Sequence, residues 1–232
     1  LVPAPRALSG AERAAGLRYT LSLSGDTLPA LPDHPGQDVR GSGAILTVDV
    51  HPEIGGDTAR PTARDRGPNR WLESDDPEVL AFARAAVPER VDAHADMLAL
   101  ERAVRAHIAD KSMRVGYASA AETVRAREGD CTEHALLLAA AGRALGIPTR
   151  VVNGLAYAAS FAGRDHVFVP HAWAQAWDGK RWRDYDAALS GHDAGHIALS
   201  IGDGDSAGFY AGVMLLGNVR IDAIEALPEP AP

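Results

Sequence analysis

From residue 17 the apolar positions alternate. Leu17, Tyr19, Leu21 and Leu23 fall on one side of an extended segment, and residues 44–50 repeat the pattern around Ile45. A period of two predicts a half-buried strand in each case. Between them, Pro29, Pro32, Pro35 and Gly36 mark a stretch of turns. Residues 52–69 hold Gly, Pro, Asp and Arg without periodicity and read as a loop or linker. We therefore expect a small β-rich extension and linker over 1–70 and a second unit over 71–232.

The period then becomes helical. Ser74, Asp75, Asp76 and Pro77 open a helix to about residue 86, with Val79, Leu80, Phe82 and Ala83 turned inward. A longer helix is expected over about 92–109 on the stripe Met97, Leu98, Leu100, Ala103, Val104 and Ile108. The next begins at a glycine turn, Gly129-Asp130-Cys131-Thr132-Glu133. Asp130 is its N-cap and Glu133 reaches back to the Asp130 amide as the other half of a capping box. Leu136, Leu137, Leu138, Ala140, Ala141 and Leu145 bury it, Gly146 ends it, and Pro148 keeps it from resuming. Strands are expected over 150–157, 167–177, 180–186 and 197–201, with a final pair over 213–221 around Gly217-Asn218. Helices followed by antiparallel strands predict an α+β architecture.

Cys131 is the only cysteine, so the chain has no internal disulfide. It falls in the first helical turn, where unpaired amides and the positive dipole end favour thiolate. Asp130 and Glu133 oppose this, so a cationic partner is expected; a buried apolar cysteine would need none. The partner is His171. Residues 171–186 form two alternating runs around Asp178-Gly179, a strong hairpin signal because a type I′ turn needs positive φ at both central residues. With those two as the loop, Trp177 faces Lys180 and His171 faces Asp186. A three-residue loop or a bulge would shift the register and bring in Asp184. The carboxylate fixes the imidazole tautomer, and the active form is expected to be a Cys131 thiolate with a His171 imidazolium. Trp173, Gln175 and Trp182 share the His171 face; Ala172, Ala174 and Ala176 leave room for a helix on the other.

Capped Cys131, His171 and Asp186, in this order, resemble the transglutaminase-like superfamily, a branch of the papain-like cysteine hydrolases. The resemblance runs over about 118–188, through Gly129-Asp130-Cys131-Thr132-Glu133-His134-Ala135, the segment 143–155, and His171-Ala172-Trp173 with 182–186. Ser119 and Ala120, before a short helix through Val124, look like the family's entry to the cysteine turn. Thr132 stands where animal transglutaminases carry tryptophan, so the chain is more similar to bacterial members, including a set in which His196-Ile197-Ala198-Leu199 follows the domain. The resemblance implies a papain-like core, a Cys-bearing helix packed on an antiparallel sheet. It also implies a catalytic triad of Cys131 as nucleophile, His171 as base and later acid, and Asp186 as orienter. The expected chemistry is acyl transfer on peptide or glutamine-type amides, by hydrolysis or amine transfer. Protein or peptide substrates, cell-wall peptide among them, and a periplasmic or secreted setting follow from the same resemblance. A non-catalytic peptide-binding module on this fold is the competing reading.

Around the triad, His134 lies one helical turn after Cys131 and is expected to wall the pocket with Trp173, while Tyr157 and His166 flank a turn at Gly163 and are expected to form a substrate lip. His192 and His196 have the spacing of a helical zinc pair, but Gly191 and Gly195 argue against a helix, so no metal and no cofactor is expected. Asp203-Gly204-Asp205 reads as a solvated turn. Hydrophobic residues make up 46% of the 232, enough for a real core, and no apolar run approaches a membrane span. A formal net charge of −8 argues against wrapping nucleic acid, and the basic residues from Arg143 to Arg150 read as a solvated face. A single cysteine is compatible with cytoplasm or periplasm. The opening Leu1-Val2-Pro3-Ala4-Pro5 is too short and proline-broken for a signal peptide and reads as a mature form or a fragment.

Overall fold

In a computed structural model the chain is described over residues 1–24, 30–52, 54–110, 117–189, 191–207, 210 and 217–228. A short strand β1 (Val2–Pro3) and helix α1 (Gly10–Ala15) precede the strands β2 (Leu17–Leu23), β3 (Gln37–Ser42) and β4 (Ile45–Val50). Helices α2 (Pro77–Ala86), α3 (Ala93–His107), α4 (Ala120–Ala126) and α5 (Cys131–Ala144) follow. The remaining strands are β5 (Thr149–Phe161), β6 (Arg164–Trp177), β7 (Trp182–Tyr185), β8 (His196–Gly202) and β9 (Val219–Ala226). The order is α+β, as the periodicity predicts. Among the described residues no helix is long and apolar enough to cross a membrane.

Two antiparallel sheets organise the chain. One runs β1-β6-β5-β8, with β7 also paired to β6; the other runs β3-β4-β2-β9. The last strand therefore completes the N-terminal sheet, and the first adds to the central one. Of the strand pair expected over 213–221, the part from Val219 lies in β9, which pairs with β2, while 213–216 lie outside the described residues. A register shift opposite Thr20 and Leu21 lets Val219, Ile221 and Ile224 all turn inward, which breaks the simple alternation a sequence reading follows.

Each face of the central sheet is covered. Ala172, Ala174 and Ala176 of β6 pack under α5, whose Leu136, Leu137 and Leu138 are fully buried in the same cluster as Met97, Leu100 and Val104 of α3. Burying each of those leucines stabilises the fold by about 1.5–3 kcal/mol. Elsewhere Leu155, Phe168, Ile197 and Leu199 meet Leu17, Tyr19, Leu21 and Val48 of the second sheet. Arg143 is not on a solvated face. It is 5% exposed, because its guanidinium donates to Thr149 O and Gly67 O and so ties the residues before α2 to the end of α5.

Candidate active site

The cysteine turn is built as its residues dictate. Asp130 caps α5 through Thr132 N at 2.8 Å, and Glu133 Oε2 accepts the Asp130 amide at 2.9 Å. Glu133 Oε1 also accepts the Ala118 amide at 3.0 Å, which joins the start of α4 to the turn. Gly129 is needed because a Cβ there would lie 2.4 Å from Glu133 Cβ. Ser119 and Glu122 form a second capping box at α4. Cys131 is thereby the first residue of α5 and keeps partial surface access.

Its sulfur nevertheless lies among protein groups, with the Ala172 amide donating toward it. Burial, then the Asp130 carboxylate, push the thiol up to about 12, and Asp186 and Glu133 act in the same direction. Burial and these carboxylates act against the thiolate that the helix start favours.

The hairpin has a different register from the one expected. Trp177 pairs with Trp182 and Ala174 with Tyr185, so residues 178–181 form the loop, and Asp178 Oδ1 accepts the amides of Lys180 and Arg181 at 2.8 and 2.9 Å. The extra loop residues are held by that aspartate, which a dipeptide signal does not reveal. The shift is by two residues and keeps side chains on their faces. His171 Nε2 meets Asp186 Oδ2 at 2.7 Å, and Asp184 Oδ1 instead accepts Trp173 Nε1 at 2.7 Å and Gln175 Nε2 at 2.8 Å.

Asp186 is fully buried. Burial alone would raise its carboxyl, but hydrogen bonds and charges from His171 and His196 together hold it well below the usual carboxylate range. An ionised carboxylate only accepts, so both imidazoles present Nε2–H to it, and His171 Nδ1 is the nitrogen left to take a proton. His196 Nε2 reaches the same Oδ2 at 3.0 Å; that second histidine is the partner sequence reasoning missed. Its only signal was a histidine opening an alternating strand, and nothing local placed that strand beside β5.

Of the other expected site residues, Trp173 is 1% exposed and packs against His171 with centroids 6.2 Å apart, so it walls the imidazole and offers no open surface. Gly154, opposite His171 in β5, makes room for it: a Cβ there would lie 2.7 Å from the Trp173 ring and 2.2 Å from Ile197 O. His134 is buried within α5, with Nδ1 2.6 Å from Asp130 O. Tyr157 Oη lies 2.9 Å from His166 Nδ1 and accepts the Leu8 amide. A cavity of about 460 Å³ is lined by Tyr157, Arg13, Arg105, His192, Asp193 and His196; Cys131 is not on its wall.

His192 and His196 do not form a helical pair. Among the described residues, the donor atoms grouped closely enough to surround a cation are those of His171, Asp186 and His196, within 4.8 Å of one another. Both imidazole nitrogens there carry the hydrogen they donate to Asp186, the opposite of the lone-pair form a metal requires.

Residues 80–187 match the family profile of the transglutaminase-like superfamily, a segment that includes Cys131, His171 and Asp186. That segment is a transglutaminase-like core. In fold the chain is similar to a candidate cysteine protease from Cytophaga hutchinsonii, at a TM-score of 0.57 and 18% identity over 90% of this chain and 87% of that one. It is also similar to the periplasmic domain of TgpA from Pseudomonas aeruginosa, at a TM-score of 0.50 and 17% identity over 80% of this chain and 85% of that one. No curated protein matches it in sequence.

Proposed function

We propose that this chain is a thiol enzyme acting on peptide or glutamine-type amides through an acyl-enzyme on Cys131. Sγ attacks the carbonyl carbon as its proton passes to His171 Nδ1; His171 then protonates the departing amine, leaving a thioester. Water or a primary amine takes up the acyl group and restores the thiol. Because the thiol is pushed up to about 12, His171 acts as general base during attack and not as half of a standing ion pair. The Cys131 amide lies outside the two capping bonds and serves as an oxyanion donor.

The single observation that carries this reading is the 2.7 Å bond from buried His171 to buried Asp186, on the strand whose next residue, Ala172, donates toward the Cys131 sulfur. In this reading residues 71–232 hold the chemistry and 1–70 are an extension. Tyr157 and His166 edge the approach for a protein or peptide substrate, with cell-wall peptide in a periplasmic or secreted setting the first class to try.

Intact-mass trapping with a library of peptides and cell-wall fragments tests it. A mass increase equal to the acyl part is expected on the wild type and not on Cys131→Ala; no adduct with any fragment, or one that survives Cys131→Ala, overturns it. The raised thiol favours a second reading, a non-catalytic peptide-binding module on the same fold. Its mark is a peptide that shields Cys131 from iodoacetamide without ever forming an adduct.

A further inference from the structure

Asp186 answers to more than the histidine it orients. Its Oδ2 receives Nε2 of both His171 and His196, at 2.7 and 3.0 Å, while Oδ1 accepts the amides of Ala188 and Leu189 at 2.8 and 3.1 Å. Arg105 of α3 donates to the Asp186 backbone carbonyl at 2.9 Å. On its other side, His196 Nδ1 lies 3.0 Å from Asp193 O and 3.3 Å from Asp193 Oδ1. Asp193 Oδ2 is bound by Arg13 of α1, 180 residues earlier in the chain. Ala194 N donates to Arg13 O at 2.8 Å and Tyr19 donates to Ala194 O at 2.6 Å, so the loop is pinned to the N-terminal part on both sides. Cationic and anionic groups alternate along the line Arg13, Asp193, His196, Asp186, and His171 Nε2 donates at its end.

We propose that His196 is the positioning residue of this site: it is the standing counter-charge that keeps Asp186 ionised and aimed at His171, and Arg13 holds it there through Asp193. The proposal rests on the catalytic reading above and goes beyond it, since His196 lies outside the matched segment 80–187.

The physical need is specific. During turnover His171 must alternate between neutral and charged, so a buried Asp186 whose only partner was His171 would lose its counter-charge in half of each cycle. A buried carboxylate without a cation takes up a proton, and a protonated Asp186 no longer fixes the tautomer. A second imidazole, 3% exposed and clamped between two carboxylates, stays charged while His171 changes. Those carboxylates lift His196 to about 9 against the effect of burial. The other ionisable groups that act on this cluster are Glu101 and Arg105 on α3, His192 in the loop before β8 with Asp184 of β7 beside it, Arg13 on α1, and Cys131 at the head of α5, itself flanked by Asp130 and Glu133. Arg13 and Arg105 are each engaged by a carboxylate, so neither supplies Asp186 Oδ2 with a charge.

Three variants test it: His196→Ala, His196→Gln, which keeps a donor but not the charge, and Asp193→Asn, which leaves the imidazole in place. Each is read in three ways. On the amide substrate found by trapping, kcat should fall roughly 10- to 100-fold, the range for groups that orient a reacting side chain, with KM within about twofold. The acid limb of the pH profile of turnover should move to higher pH in both His196 variants, because Asp186 without that cation takes up its proton at higher pH. The downfield proton between His171 Nε2 and Asp186 should weaken or exchange faster in the order Asp193→Asn, His196→Gln, His196→Ala. Folded His196 variants with wild-type kcat, an unmoved profile and an unchanged proton signal overturn the proposal. If both fail to fold, Asp193→Asn decides by the same readouts. A wild type that forms no acyl adduct defeats the catalytic reading instead, and the proton signal then judges His196 alone.

Discussion

His171 donates to Asp186 across 2.7 Å although the two do not stand opposite each other in the β6–β7 ladder. Ala174 pairs with Tyr185, so Asp186 follows the end of β7 and reaches back along the face by two residues. The turn that receives it, through the Ala188 and Leu189 amides, fixes the carboxylate where a regular strand would carry it past.

Asp186→Asn should therefore leave the hairpin paired and lower turnover by about 10³- to 10⁴-fold, because an amide presents a donor where an acceptor must set the tautomer. Asp184→Asn should cost far less, since an amide oxygen can still accept from Trp173 and Gln175. Turnover on the trapped substrate measures both. Equal losses would move the orienting role away from Asp186.

Cys131 should label slowly in the folded protein near neutral pH. A thiol raised from 9.0 to about 12 is almost wholly protonated there, and thiolate accumulates only as pH climbs toward that value. Iodoacetamide labelling followed by intact mass should run faster in urea-unfolded protein than in folded protein at pH 8–9. Faster labelling of the folded form would mean that a cation activates the thiol after all.

Stability should fall as pH rises from about 7 to 9. His196 is lifted from 6.5 to about 9 in the folded chain, so its contribution is complete below 6.5 and is lost as pH rises through 9. Glu101, lifted from 4.5 to about 7 by burial, has the same sign but has spent most of its effect by pH 7. Lowered Asp186 and His192 act on the acid side, where their contributions are lost as pH falls. Urea midpoints across this range should show the decline in the wild type and a flatter line in His196→Gln.

Gly154→Ala should destabilise the fold by about 1–3 kcal/mol, the range for overpacking a filled core. Its Cβ would overlap Ile197 O and the Trp173 ring, and displacing that ring should also lower activity through His171. Gly10→Ala meets nothing within 4 Å and should change stability by less than about 0.5 kcal/mol. Thermal unfolding distinguishes the two.

Local chemistry was legible wherever a side chain acts on residues a few positions away. The Asp130-Glu133 box, Pro77 at the start of α2 and the stop after α5 all depend on neighbours within one turn, and each stands where its residues put it. The three alanines under α5 follow from strand alternation and small size. Loop length was misread because Asp178 binds two amides and stretches the turn to four residues, a choice made by one side chain and not by the dipeptide.

By itself the sequence determined the capped cysteine helix, the strand faces that put His171 and Asp186 on one side, and the α+β order, because these depend on period, caps and turns. Only the tertiary structure decided that β8 lies against β5, that β9 closes the sheet begun by β2, and that Arg13 reaches Asp193. Those pairings decide the charge at the site. Asp186 is lowered by His171 and His196, which other strands bring to it, and the thiol is raised first by burial, which depends on what else occupies the volume around an atom and which no local pattern records.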